Sequence, residues 1–254
     1  DKSSNRDFNF DIIMANPPFA GDVKESRILA KYDLSRTVSL EKLKNAPRDT
    51  TVLAGEPTFP EALSNNGETV YQMSDGTFRK TKLKQATNMS RDILFVERNI
   101  DFLKPGGRMA IVLPQGRFNN SSDKSLREYI ADRCRILAVV GLHGNVFKPH
   151  TGTKTSVLFV QKWDEVLCPK VDDYNIFFAT MQEPSKDNSG DKIYRNTTGE
   201  NGENIPLLDS HGHLIVKHDL FNHDGLTQDG IAEAFAEFAK KEHLSFFADA
   251  PLTK

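Results

Sequence analysis

Along the chain, hydrophobic positions fall into short runs divided by long polar stretches. The first, Phe8 to Ala15, contains Phe10-Asp11-Ile12-Ile13-Met14-Ala15. It reads as a strand, apolar almost throughout, as in a parallel sheet covered on both faces. Pro17 and Pro18 stop it, since neither offers a backbone N–H and both push the preceding residue away from helical geometry. Residues 20–88 are mostly polar, with Ile28, Leu29 and Tyr32 at helical spacing. Within them, two short runs at 70–73 and 77–80 flank Asp75-Gly76, a hairpin signal. Such a long insertion is usually functional or mobile.

The period then changes. Ile93, Val96, Ile100 and Leu103 predict an amphipathic helix over 89–103, capped by Ser90 and ended at Pro105-Gly106-Gly107. A buried strand is predicted at 109–113. A helix follows to Cys134, capped by Ser121, Ser122 or Asp123, with Leu126, Ile130 and Cys134 on one face. Runs at 136–142 and 155–160 predict strands whose link is too short for a crossover helix, so they should be antiparallel neighbours. Residues 175–180 read as another strand and 214–216 as a short one. The stretch 183–204 is rich in Ser, Asn, Asp and Gly and reads as a mobile loop. Ile231, Phe235 and Phe238 predict a helix over 227–241. Strands alternating with helices give an α/β class.

The turn after the first strand carries the chemistry. In open α/β sheets, ligands bind beyond the carboxyl ends of strands. Asn16 offers an amide oxygen and two N–H donors, the Pro17 carbonyl has no strand to pair with, and Phe19 adds a ring. Two acceptors and a ring suit a planar amino group on a base. Accepting both its hydrogens would draw the nitrogen toward tetrahedral geometry and localise its lone pair for attack on an electrophilic methyl. Placement and electrostatics then carry the step.

Net charge is −2 over 254 residues, which does not announce a DNA-binding stripe. It suits a subunit whose partner supplies much of any nucleic-acid contact. Two cysteines imply no disulfide framework and a reducing compartment, here read as the cytoplasm. No apolar run approaches membrane length. The histidines are scattered, and His211-Gly212-His213 lacks a Cys or carboxylate at ligand spacing, so no metal is expected.

Asn16-Pro17-Pro18-Phe19 behind a strand resembles the catalytic motif of the amino-methyltransferases that act on adenine N6 in DNA. Residues 91–114 and 137–162 resemble, more narrowly, the methylation (M) subunit of type I restriction-modification systems. Leu103-Lys104-Pro105-Gly106-Gly107-Arg108 and Gly152-Thr153-Lys154-Thr155-Ser156-Val157-Leu158-Phe159 are the specific parts. The resemblance implies the S-adenosylmethionine-dependent methyltransferase fold, a mostly parallel doubly wound sheet with an antiparallel end pair, here its catalytic-side half. It implies a site-specific DNA methyltransferase acting on adenine N6, with S-adenosylmethionine as donor.

By that resemblance Asn16, Pro17, Pro18 and Phe19 are catalytic. Phe19 stacks the base taken out of the duplex, and Phe147 either stacks its other face or simply anchors its loop in the core. Asn16 touches the cofactor, Phe95 either lines its adenine or is ordinary core packing, and Lys154 could reach a DNA phosphate, although a solvated lysine is the simpler reading. DNA, a specificity subunit, a second M subunit and, at times, a restriction subunit are the implied partners. The family binds its cofactor largely through a glycine-rich loop and an acidic residue upstream of the motif. The chain opens just before the motif, so it is expected to be a fragment, inactive alone. The expected division is 1–180, the catalytic-side part with its insertion at about 20–88, and 181–254, a loop and helical extension. Methylation of RNA or of protein glutamine, and a non-catalytic interaction module, stay open as alternatives.

Overall fold

The computed structural model describes residues 9–29, 31–35, 68–72, 78–82, 86 and 88–247. Its elements in chain order are β1 (Phe10–Ala15), β2 (Asp22–Val23), α1 (Ser26–Leu29), β3 (Glu68–Gln72), β4 (Phe78–Lys82), β5 (Met89–Ser90), α2 (Arg91–Phe102) and β6 (Leu103–Pro114). They continue with α3 (Gly116–Asn119), α4 (Lys124–Arg133), β7 (Cys134–Gly141), β8 (Thr155–Lys162), β9 (Phe177–Thr180), β10 (Asn196–Thr198), β11 (Asn204–Pro206) and α5 (Ile231–Lys241). They fall into two compact units, residues 1–17, 99–119 and 133–254 in one and 18–98 and 120–132 in the other.

The first unit is built on a five-stranded sheet in the order β1-β6-β8-β7-β9. β1 runs parallel to β6, and β9 parallel to β7, while β8 lies antiparallel to both of its neighbours, β6 and β7. Four strands therefore share one direction and one opposes them: the mixed, mostly parallel α/β sheet that the alternation predicts, with β7 and β8 the expected antiparallel neighbours. Met109, Ile111 and Leu113 of β6 and Leu158 and Val160 of β8 are buried. Gly106 turns with φ +74°, and a Cβ on Gly107 would lie 3.0 Å from the Phe10 carbonyl. Glycine there lets β1 approach.

β1 corrects one expectation. It is an edge strand, and Phe10, Ile12 and Met14 are exposed, Met14 by 84%. An apolar run reports the propensity to be buried. Burial itself needs neighbours, and only β6 flanks β1 among the described residues. Element ends shift as well. Met89–Ser90 pairs with Asp22–Val23 as strand, so α2 starts at Arg91, and the Ser90 hydroxyl donates to Asp92 at 2.6 Å rather than capping the helix. Leu103 belongs to β6 and Cys134 to β7.

On one face of the sheet, Phe235 and Phe238 of α5 pack on Leu137 and Phe177, with Ala239 and Leu244 fully enclosed. α5 starts at Ile231, four residues later than the apolar spacing suggests, because Glu233 reaches back to accept the N–H groups of Gly230 (2.8 Å) and Asn222 (3.3 Å). The stretch read as a mobile loop is organised. Asp187 accepts three backbone N–H groups in a turn, Arg195 pairs with Glu183, and β10 and β11 form a hairpin. Composition signals turns, and here the turns are closed by their own side chains. Leu214 and Val216 make isolated bridges to Leu208 and Tyr194 rather than a strand.

In the second unit, β3 and β4 pair antiparallel as the hairpin signal predicts; the Asp75-Gly76 turn and Lys84 lie outside the described residues.

Candidate active site

β1 and β6 run parallel with Ala15 beside Ile111, so Asn16 leaves the sheet at the edge where Pro114-Gln115 leaves β6. Asn16 is exposed, Pro17 buried, Pro18 exposed and Phe19 half-buried. The buried proline anchors the turn while the amide before it faces solvent. At the same edge, the Gln115 N–H donates to the Lys154 carbonyl and the Leu142 N–H to the Thr155 carbonyl, both at 2.9 Å. These bonds root the loop that carries Phe147. Asn145 donates to the Lys186 carbonyl (3.0 Å), and the Lys186 ammonium donates to the Lys148 carbonyl (2.8 Å), bracing the loop from outside. Asn16, Pro17 and the half-buried Phe147 thus share one carboxyl edge in one unit. Lys154 stands exposed just before β8.

Pro18, Phe19 and Phe95 belong to the second unit, and Phe95 is 43% exposed on α2. There the segment following Phe19 is stapled to α2 at two points. The Arg91 N–H donates to the Gly21 carbonyl at 3.2 Å beside the β2–β5 pair. Gly21 sits at φ +94°, and a Cβ would meet the Arg91 guanidinium at 3.0 Å. Twelve residues on, the carboxylate of Glu97, 1% exposed, accepts the N–H groups of Asp33 (2.7 Å) and Leu34 (2.9 Å). The buried Ser35 hydroxyl closes the same turn on the Leu29 and Tyr32 carbonyls, and the Arg98 guanidinium lies 5.1 Å over the Tyr32 ring. The periodicity passed over Glu97. Its signal was there: it lies four residues after Ile93 and three before Ile100, so a carboxylate occupies the apolar stripe and must find donors.

Away from that edge, buried Cys134 on β7 is the register partner of half-buried Lys162 on β8. Burial pushes the Cys134 thiol up to about 12, partly offset by the Lys162 ammonium. The same burial pulls Lys162 below its ordinary value, partly offset by Cys134. Its ammonium donates to the Ile100 and Leu103 carbonyls at 2.7 and 2.6 Å, closing the carboxyl end of α2.

The described strands define an α/β protein built on a mixed, mostly parallel sheet. The chain belongs to the N-6 DNA Methylase family, whose model matches residues 31–205. Asn16 to Phe19 precede that match. The chain is 33% identical over 89 residues to the methylase subunit of the type I restriction enzyme EcoEI of Escherichia coli, covering 35% of this chain and 18% of that one. It is 26% identical over 174 residues to the EcoKI methylase subunit of Escherichia coli K12, covering 66% of this chain and 27% of that one. The chain therefore spans little more than a quarter of these relatives at most. A type I restriction-modification methyltransferase subunit from Streptococcus thermophilus superposes with a TM-score of 0.38 at 20% identity, covering 80% of this chain and 30% of that one.

Proposed function

We propose that this chain supplies the methyl-acceptor side of a site-specific DNA adenine-N6 methyltransferase, the modification subunit of a type I restriction-modification system. The observation that carries this reading is the Asn16-Pro17-Pro18-Phe19 turn, leaving β1 beside β6 at the carboxyl edge in a chain of this family. Asn16 Oδ1 and the Pro17 carbonyl accept the two N6 hydrogens. That pulls the nitrogen toward tetrahedral geometry and frees its lone pair, an interaction stronger in the transition state than in the ground state. Phe19 and Phe147 hold the base by its faces. Lys154, exposed at the rim, reaches a phosphate.

S-adenosylmethionine supplies the electrophilic methyl. Asn16 and Phe95 fit part of it: both are accessible to solvent, one as an amide and the other as a ring. Neither is charged, so neither forms an ion pair with its carboxylate. When bound, the cofactor would supply this methyl to the N6 nitrogen held by Asn16 and the Pro17 carbonyl, and the N6 proton released on transfer would pass to solvent.

In this reading residues 1–180 are the catalytic-side part and 181–254 an extension. The partners are DNA, a specificity subunit, a second M subunit and, when recruited, a restriction subunit. The setting is the cytoplasm. No helix among the described residues is long and apolar enough to cross a membrane. The test is transfer of labelled methyl by the full-length subunit with its specificity partner to duplex DNA, RNA and a glutamine peptide. N6-methyladenine in the DNA is expected. Label in RNA or peptide alone would overturn the substrate, and label nowhere would overturn the activity.

A further inference from the structure

A groove of about 400 Å3 opens at the carboxyl edge of the first unit, between the end of β6 and the edge strand β9. Val139, Gly141 and Ser156 line it, while Ala138, Val140 and Val157 face the α5 side. Side chains alternate along a strand, so the groove lies on the opposite face from α5.

Its floor carries a hydroxyl. Ser156 is 4% exposed as a residue and lines the groove, so the little surface it shows opens there. Ser156 lies opposite Gly141, where a Cβ would come 3.2 Å from Thr180 Oγ1, so glycine keeps the floor open. Above it stand the amides of Gln115 and Asn119, both exposed, and the rings of Phe118 and Phe178. Phe178 is 70% exposed, an aromatic held out of the core on a strand. None of the lining residues is charged.

That set selects a ligand. Without a cation, a phosphate or carboxylate has no partner. Two rings offer faces for stacking, and amides pair with the donor and acceptor edges of bases. We propose that this groove binds a nucleobase outside the target site, stacked against Phe178 and read along its edge by Gln115, Asn119 and Ser156. The base comes either from a strand of the bound nucleic acid, beside the methylated adenine, or from a free nucleoside. The first source rests on the function proposed above; the second does not.

The experiment uses the full-length subunit with its specificity partner. Duplexes carry 2-aminopurine at single positions around, but not at, the target adenine, and free 2-aminopurine riboside is titrated separately. For a base of the strand, one flanking position brightens on binding. Phe178→Ala then abolishes that signal and weakens DNA binding about 5- to 150-fold, the range covered by one stacked base. For a free nucleoside, the riboside is quenched on binding and Phe178→Ala or Asn119→Ala removes the quench, with DNA affinity unchanged. Either pattern supports the groove. Phe178 is exposed, so its loss leaves folding intact, and Asn119→Ala gives a second variant. If neither variant alters any 2-aminopurine signal or DNA affinity, the groove does not take a base. Asn16→Ala is run in parallel: full methylation by that variant would sink the function proposed for the motif while the groove result stood by itself.

Discussion

Glu97 and Leu34 stand 63 residues apart in the chain and 2.9 Å apart in space, carboxylate to backbone N–H. With Asp33 bound to the other oxygen, one buried side chain fixes the turn that ends the segment begun at Phe19. Two backbone donors meet this one buried carboxylate, and bonds to an ionised acceptor are among the strong ones. The base-stacking ring proposed at Phe19 thus sits on a segment tied down at Gly21 and again at Asp33–Leu34.

Removing that carboxylate should therefore loosen the turn. Glu97→Ala strands two N–H groups, a loss on the order of 3 kcal/mol. Glu97→Gln keeps one acceptor oxygen and should lose less. Hydrogen exchange at the Asp33 and Leu34 amides is the measurement, and both should speed up at least tenfold in the Ala variant. Unchanged protection would show that the turn is held without Glu97.

Alkaline stability should carry the mark of Cys134. Its folded-state thiol titrates near 12, against an ordinary value of 9.0, because burial opposes the thiolate. Below pH 9 both states keep the proton and the contribution is fully present. Above it the unfolded chain loses its proton first, so stability falls as pH rises toward 12. Lys162 acts the other way: with its value lowered by burial, stability gains as pH rises from that lowered value to 10.5. The difference in slope between wild type and Cys134→Ala in urea unfolding at pH 8.5 to 11 isolates the thiol. Without the thiol's falling contribution, Cys134→Ala should lose less stability, or gain more, than wild type as pH rises across this range. The native thiol should also resist iodoacetamide at pH 8.

Much of this architecture was legible locally. The periods of β6, β7, β8 and α5 are set by residues a few positions apart, and the short β7–β8 link fixed their direction. What escaped was decided by distant partners. Ile12 and Met14 look buried in sequence and are exposed, with only one strand flanking β1 among the described residues. Glu97 is placed by its donors at 33 and 34. The turn at Asn16 was readable because prolines dictate backbone geometry without help from tertiary contacts. The groove beside Phe178 was not, since it joins residues from β7, β8 and β9 with Gln115 and α3, which follow β6.

Phe19→Ala should impair base capture more than cofactor binding. One stacked ring contributes about 1–3 kcal/mol. With 2-aminopurine at the target position, binding by the full-length enzyme should brighten the probe, and the variant should lose most of that rise. A variant with full brightening and full turnover would take Phe19 out of the site.

Asn16 gives the sharpest test. If Oδ1 accepts from adenine N6, Asn16→Ala removes an interaction that strengthens as the nitrogen becomes tetrahedral, so it raises the barrier more than it weakens the ground state. The expected loss is on the order of 3 kcal/mol or more in the chemical step. DNA affinity should hardly move, because phosphate contacts dominate it. Asn16 is exposed and Pro17 carries the burial, so folding should survive the change. Asn16→Asp keeps an acceptor in nearly the same shape but loses the N–H donors and adds a charge. If acceptance is the main role, Asp should retain more activity than Ala. Single-turnover methylation by the full-length subunit with its specificity partner ranks the three. Equal rates for Ala and wild type would leave Asn16 a turn former and move the chemistry elsewhere along the edge.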